Sequence, residues 1–220
     1  MSVLRLATFN VRRCLGIDSS TNVERTAEAI QATEAAVVAL QELDRGMPRS
    51  GAVDQPAALA NLTGMRVFFW PTLRRKHGEY GIGLAVRGEA SVGFRALPRV
   101  AHEEPRGAIV GRAAGVGIVA THVATHDPAR SGHLDAVRTL AAELEAPVVV
   151  LGDLNCSRRR LTPLSEAGFD PGPRIPTIGQ RTRRQIDYIL AGPGVRLIRA
   201  WTVPGAASDH LPLVADVALE

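Results

Sequence analysis

Asp153 and Asn155 stand two residues apart at the end of the run VVVLGDLN, residues 148–155. The four apolar residues before Gly152, three of them β-branched, have the pattern of a strand buried on both faces. An acid and an amide spaced by two leave such a strand on one side, so both face a single space at the sheet edge. A carboxylate that supplies charge, beside an amide that donates or accepts, suits a hard metal ion or a phosphate oxygen. The same residue types also make ordinary turns, in which Asp153 and Asn155 bond the neighbouring backbone.

The ending recurs along the chain. An alternating segment closes on Asn10, the run AAVVALQE closes on Glu42, and a short strand closes on Thr121 and His122. Asp187 lies within QIDYILAG, and Asp209 and His210 immediately precede the final apolar run. Carboxylates brought together without a cation repel one another and raise one another's pKa, so a bound divalent metal is the economical expectation.

Elements must carry these residues to one place. Thr21 or Asn22 caps a helix in which Val23, Ala27, Ile30 and Glu34 recur at helical spacing, and Asp54 caps a second helix through Asn61, closed by Gly64. The segment MRVFFWPTL reads as an aromatic-rich strand, TLRRKHGEY as an exposed basic loop, and YGIGLAVRG to GVGIVATHV as strands of an antiparallel meander. A helical pattern over residues 128–145 leads into VVVLGDLN. After Asn155 come SRRR, a short helix-like TPLSEAG and a Pro/Gly-rich loop from Asp170 to Arg184, whose length is that of a functional loop. Three more strands, QIDYILAG, VRLIRAWTV and LPLVADVAL, close the chain.

At 220 residues, one domain spanning residues 1–220 is the expectation. No apolar run reaches a membrane span and the N-terminus carries no secretory pattern, so a cytoplasmic monomer is expected. Cys14 and Cys156 are too few for a thiolate metal site, though they leave room for one bridge. Of 26 basic residues only Lys76 is a lysine, and that uniform bias gives the net charge of +4 little weight. Arginine's planar fork nonetheless matches phosphate oxygens. His77, His102, His126 and His133 read as surface residues.

The ordered strings TFN, QE, THV, GDLN, QIDYI and SDH, from residue 8 to residue 210, resemble the endonuclease/exonuclease/phosphatase superfamily. The resemblance implies an α+β, four-layer α/β/β/α sandwich like that of DNase I, with two mixed sheets face to face and helices outside. It also implies Mg²⁺-dependent phosphoester hydrolysis, with Mn²⁺ able to substitute. Glu42 resembles the main metal ligand, with Asn10 and Asp209 in the same shell. Asp153 and Asn155 resemble the pair that orients the attacking water and the phosphate. His210 with Asp187 resembles the family's histidine dyad, and His122 a phosphate-contacting histidine. Arg12, which replaces the second acid of some nucleases in the superfamily, is expected to meet phosphate. Arg106, Tyr80 and Arg184 are expected as further substrate contacts, with Tyr80 also reading as a core tyrosine and Arg106 as a group that orients an acid or covers a strand.

The leading functional expectation is a nuclease-like phosphodiesterase acting on a phosphate-containing substrate, nucleic acid included. Arginines cluster at Arg74 and Arg75, at Arg158 to Arg160, and at Arg181, Arg183 and Arg184, where a phosphate backbone could be tracked. Aromatics make up only 4% of the chain, so stacking platforms for single strands are scarce. The alternatives are hydrolysis of a small phosphoester, inositol phosphate or phospholipid head group, with Trp70 or Trp201 approaching a lipid surface, and an inactive phosphate-binding protein.

Overall fold

A computed structural model describes residues 3–179 and 183–220. In chain order the elements are β1 (Val3–Asn10), α1 (Val23–Gln31), β2 (Val37–Arg45), α2 (Gln55–Thr63), β3 (Arg66–Arg75), β4 (Gly78–Val86), β5 (Ala90–Ala96), β6 (Gly107–Ala113), β7 (Val116–His122), α3 (Ala129–Ala142), β8 (Val148–Asp153), α4 (Thr162–Glu166), β9 (Asp187–Ala191), β10 (Val195–Thr202) and β11 (Leu213–Leu219). They form two mixed sheets, ordered β10-β11-β1-β2-β4-β3 and β5-β6-β7-β8-β9. Each sheet contains one parallel pair, β1 with β2 and β7 with β8, and antiparallel neighbours elsewhere.

Strand alternation produces three apolar layers. Leu6, Val37, Ala39 and Leu84 of the first sheet meet Ile118, Val149, Leu151 and Ile189 of the second. On the outer face of the first sheet, Ala7, Phe9, Val38 and Leu40 pack on Ala27 and Ile30 of α1 and Leu59 of α2. On the other side, Val119, Val148, Val150 and Leu190 pack on Leu134 and Val137 of α3 and Leu164 of α4. The result is the α/β/β/α sandwich. Parallel neighbours need a crossover, and α1 and α3 supply it, so both parallel pairs end at the same kind of rim.

Asn22 and Asp54 cap α1 and α2 through the backbone N–H groups of Arg25 and Ala57. Helix α1 stops at Gln31, and Glu34 stands beyond it with a φ of 52°. The segment TLRRKHGEY is no loop: Leu73 to Arg75 pair with Tyr80 to Gly78, leaving only Lys76 and His77 to turn. The meander is also divided, for β4 pairs with β2 and β3 in the first sheet while β5, β6 and β7 form the second. Cys14 and Cys156 are both free and buried, in the apolar layers on opposite sides of the sandwich, which rules out a bridge between them. His133 is buried rather than exposed; it accepts from the Ala124 N–H at 3.1 Å and donates to the Pro98 carbonyl at 2.8 Å.

Candidate active site

The inward faces of three neighbouring strands carry their polar ends side by side. His122 is in register with Asp153, and Asp153 with Asp187. In β8, Val149, Leu151 and Asp153 share the inward face, so the alternation that buries the first two delivers the carboxylate to the space between the sheets. Gly152 allows this close packing. A Cβ there would sit 2.0 Å from the Thr121 carbonyl oxygen, at a φ of +150°.

Asn10 reaches across from the first sheet. Its amide nitrogen donates to Asp153 Oδ2 and to Glu42 Oε1, each at 3.0 Å, so the two carboxylates lie no farther apart than two hydrogen bonds end to end. Its oxygen accepts the Arg12 N–H at 3.0 Å, which turns that oxygen away from Glu42. Glu42 is delivered by a β-bulge: Leu40 pairs with Gly83 and Leu43 with Gly81, leaving Gln41 and Glu42 opposite one residue. The bulge, with Glu42 at a φ of 61°, lets Leu43 occupy the outward apolar place that simple alternation assigns to Glu42.

His210 completes the cluster. Its Nδ1 donates to Asp187 Oδ2 at 2.9 Å, and its Nε2 lies 3.9 Å from Asp153 Oδ2. Burial favours the neutral ring, but the Asp187 carboxylate, seconded by Asp153 and Asp209, overcomes it and raises the His210 pKa to about 9. Burial, followed by repulsion from Asp187, raises Asp153 to about 7 against the opposing His210 charge. His122 behaves oppositely. It is buried, its Nδ1 accepts from Arg106 at 3.0 Å and its Nε2 lies 3.5 Å from Asp153, so burial and then the Arg106 charge hold it neutral.

Asn155 satisfies both readings of its type. Its backbone N–H bonds Asp153 Oδ1 at 2.9 Å, the local turn, while its amide donates to the Val123 carbonyl at 3.1 Å. Its φ of 48° takes it out of strand alternation, so it does not project alongside Asp153 as a continued strand would require. Tyr80 is buried beneath the Arg49 guanidinium, and burial followed by the Glu42 charge raises its pKa. Asp209 is half exposed and faces Arg12 Nε at 3.7 Å. Arg184 is exposed and lines a separate recess with Arg158 and Arg174; Arg181, expected in the same basic loop, lies outside the described residues.

Arg13 is a neighbour the sequence reading missed. Its guanidinium lies 3.4 Å from Glu42 Oε2. Arg12, Arg13 and Cys14 form a left-handed turn with φ of 47°, 60° and 58°, a conformation that costs about 1–2 kcal/mol per residue. Gln55 clamps it, donating to the Arg13 carbonyl at 2.7 Å while accepting the Asp44 N–H at 2.9 Å. Nothing in RRC signals such a turn, because glycine and asparagine are its usual occupants.

The donor chemistry fits a hard cation. Glu42 keeps a partly exposed carboxylate one hydrogen bond from Asn10, and the Asp153 and Asp187 carboxylates cluster with His210, their polar atoms within 4.8 Å of one another; His210, its Nδ1 committed to Asp187, adds charge there rather than a ligand.

A sandwich that gathers paired carboxylates, a charged histidine and arginines at one rim defines a phosphoester hydrolase. The chain belongs to the endonuclease/exonuclease/phosphatase family, whose profile matches residues 7–210. A search of curated proteins finds no match. Among solved structures, an endonuclease/exonuclease/phosphatase from Beutenbergia cavernae superposes with a TM-score of 0.81 at 24% identity, over 100% of this chain and 72% of that one. An AP endonuclease from Archaeoglobus fulgidus gives 0.69 at 21% identity, over 99% of each chain. A mannosyl-6-phosphatase from Bacteroides thetaiotaomicron gives 0.74 at 15% identity, over 98% of this chain and 100% of that one. At these identities the likeness is one of fold.

Proposed function

We propose that this protein hydrolyses phosphodiester bonds, nucleic acid included, in a reaction that requires Mg²⁺ or Mn²⁺. The observation that carries the reading is the placement of the Asp153 carboxylate, held by Asn10 and Asn155 between one neutral and one charged histidine.

Asp153 is the proton acceptor for the attacking water, and positioned bases of this kind contribute roughly 10²–10⁴-fold. His210, kept as an imidazolium by Asp187, stabilises the negative charge that gathers on the phosphoryl oxygens. His122 is neutral and turns its Nε2 toward Asp153, so it orients the base rather than adding charge; Arg106 holds its other nitrogen. Glu42 and Asp209, the carboxylates within reach of solvent, would hold the cation, and Asn10 orients Glu42 through its amide nitrogen. When bound, a divalent ion supplies Lewis-acid neutralisation of the phosphoryl group and the leaving alkoxide. Arg12 stands at the mouth to meet a phosphate oxygen, with Tyr80 supporting the wall behind Glu42.

Trp70 stacks on Phe68 at 6.2 Å, and the guanidinium groups of Arg5 and Arg199 both lie over the Trp201 ring. Both rings are thus committed within the fold, which weighs against the lipid-surface alternative.

The test is cleavage of plasmid DNA, short RNA and bis-p-nitrophenyl phosphate with Mg²⁺ or Mn²⁺ and with chelator. The expected result is metal-dependent cleavage lost in Asp153→Ala. An Asp153→Ala protein as active as its parent overturns the assignment of that residue, and turnover of p-nitrophenyl phosphate alone overturns the diester preference.

A further inference from the structure

Beside the ends of β8 and β9 lies a recess of about 140 Å³ lined by Arg158, Arg174, Arg184, Gln185, Ile186 and Tyr188. The Tyr188 hydroxyl donates to backbone carbonyls, and the Gln185 amide is bonded on both sides, to the Ile175 N–H and the Asp187 carbonyl. Among the described residues no carboxylate lines the space. Arg158 donates to the Gly172 carbonyl and Arg174 to the Arg183 carbonyl at 2.9 Å, but among the described residues none of the three guanidinium groups pairs with an acid. Each guanidinium has five N–H donors, so most donors are left over.

Three like charges gathered around one small space repel one another unless an anion enters. The volume suits one phosphoryl group: at about 30 Å³ per water-sized group, it holds four or five non-hydrogen atoms. Its wall shares backbone with the reaction centre, with Tyr188 turned to the outer layer and Asp187 to the space between the sheets. Gln185 precedes Asp187 by two residues, roughly 7 Å of extended backbone. The Leu154 N–H bonds the Ile186 carbonyl at 2.9 Å, so the recess wall and the Asp153 loop are tied together.

We infer that this recess binds a second phosphoryl group of the substrate, the one next to the group being hydrolysed. The inference rests on the phosphodiesterase reading above and narrows it to substrates carrying at least two phosphates. That second phosphate is either the neighbouring unit of a nucleic-acid strand or the other phosphate of a small bisphosphate ester.

Binding is measured without turnover, as fluorescence anisotropy of a labelled thymidine tetranucleotide in chelator over a salt series. Single-stranded binding falls with salt at a slope of about −0.7 per phosphate contact. Arg158→Gln, Arg174→Gln and Arg184→Gln are each expected to weaken binding about tenfold at low salt and to reduce the slope by about 0.7. Arg95→Gln, on distant β5, provides the comparison. A sugar bisphosphate and the matching monophosphate are then used as competitors. A bisphosphate advantage that Arg174→Gln abolishes identifies the small ester as source; weakened tetranucleotide binding without that advantage identifies the strand. Unchanged affinity and slope in all three variants, or a parent that binds neither ligand, overturns the inference. Failure of the phosphodiesterase reading shows separately, as no metal-dependent cleavage by a parent that still binds.

Discussion

Asp187→Asn tests the reasoning about the histidine most directly. Asp187 is fully buried, and its Oδ2 lies 2.9 Å from His210 Nδ1. An asparagine keeps the shape and can still accept the Nδ1–H, so the ring is retained while the charge is lost. The rise of His210 from 6.5 to about 9 is net of an opposing burial effect, and Asp187 is its leading source. At ~1.36 kcal/mol per pH unit, that rise is about 3 kcal/mol of preference for the imidazolium. Without Asp187, burial is set against only Asp153 and Asp209, and His210 should titrate below pH 7. Asp153 should fall as well, since repulsion by Asp187 is a main reason it stands near 7.

Two measurements read this. Ring ¹⁵N chemical shifts of His210 followed from pH 5 to pH 10 in chelator give the titration directly. The pH profile of kcat/KM on a diester with metal gives the consequence: a loss of roughly 10²–10³-fold at pH 8, partly recovered toward pH 6 as the ring regains its proton. A variant whose His210 still titrates near 9 would refute the electrostatic account. So would a fall in activity with no change in the shape of the profile, because a merely structural lesion does not move a pKa.

In chelator, stability should decline as pH rises. His210 has a folded pKa above its unfolded value, so its contribution is complete below 6.5 and is lost as pH passes about 9, a change of about 3 kcal/mol. Asp153 is also raised, so its ionisation destabilises the fold as pH rises from 3.8 through about 7. Urea unfolding at fixed pH values reads both, and His210→Gln should flatten the upper limb; an unaltered upper limb speaks against the assignment. Gly152→Ala places a Cβ 2.0 Å from the Thr121 carbonyl and should cost about 3 kcal/mol or more. A urea midpoint within experimental error of the parent's would show that β7 and β8 have room to separate.

Much of this arrangement is legible in the chain because strand alternation is a strict period. Leu6, Thr8 and Asn10, or Val149, Leu151 and Asp153, reveal a buried face that ends in a polar group, and such endings recur from Asn10 to His210. The caps at Asn22 and Asp54 are equally local and equally readable. Partition between sheets is not local. The β4 run resembles the β5, β6 and β7 runs, and only pairing with β2 and β3 assigns it to the first sheet. Burial of His133 likewise depends on Pro98, 35 residues away, which no helical period contains.

At the site, what escaped the sequence is where the backbone departs from its preferred regions. Glu42, Asn155 and the Arg12–Cys14 turn all have positive φ without being glycine. Each costs on the order of 1–3 kcal/mol and persists only where surrounding bonds over-determine it. Those bonds are present: Gln55 grips the turn, Asn10 accepts the Arg12 N–H, and Asp153 accepts the Asn155 N–H. Regular alternation can bring Asn10, Asp153 and Asp187 face to face, but it would bury Glu42 against the helices, and only the bulge brings that carboxylate to the rim. The strained positions are therefore what turns a row of buried strand ends into a cluster with one carboxylate, Glu42, open to the rim.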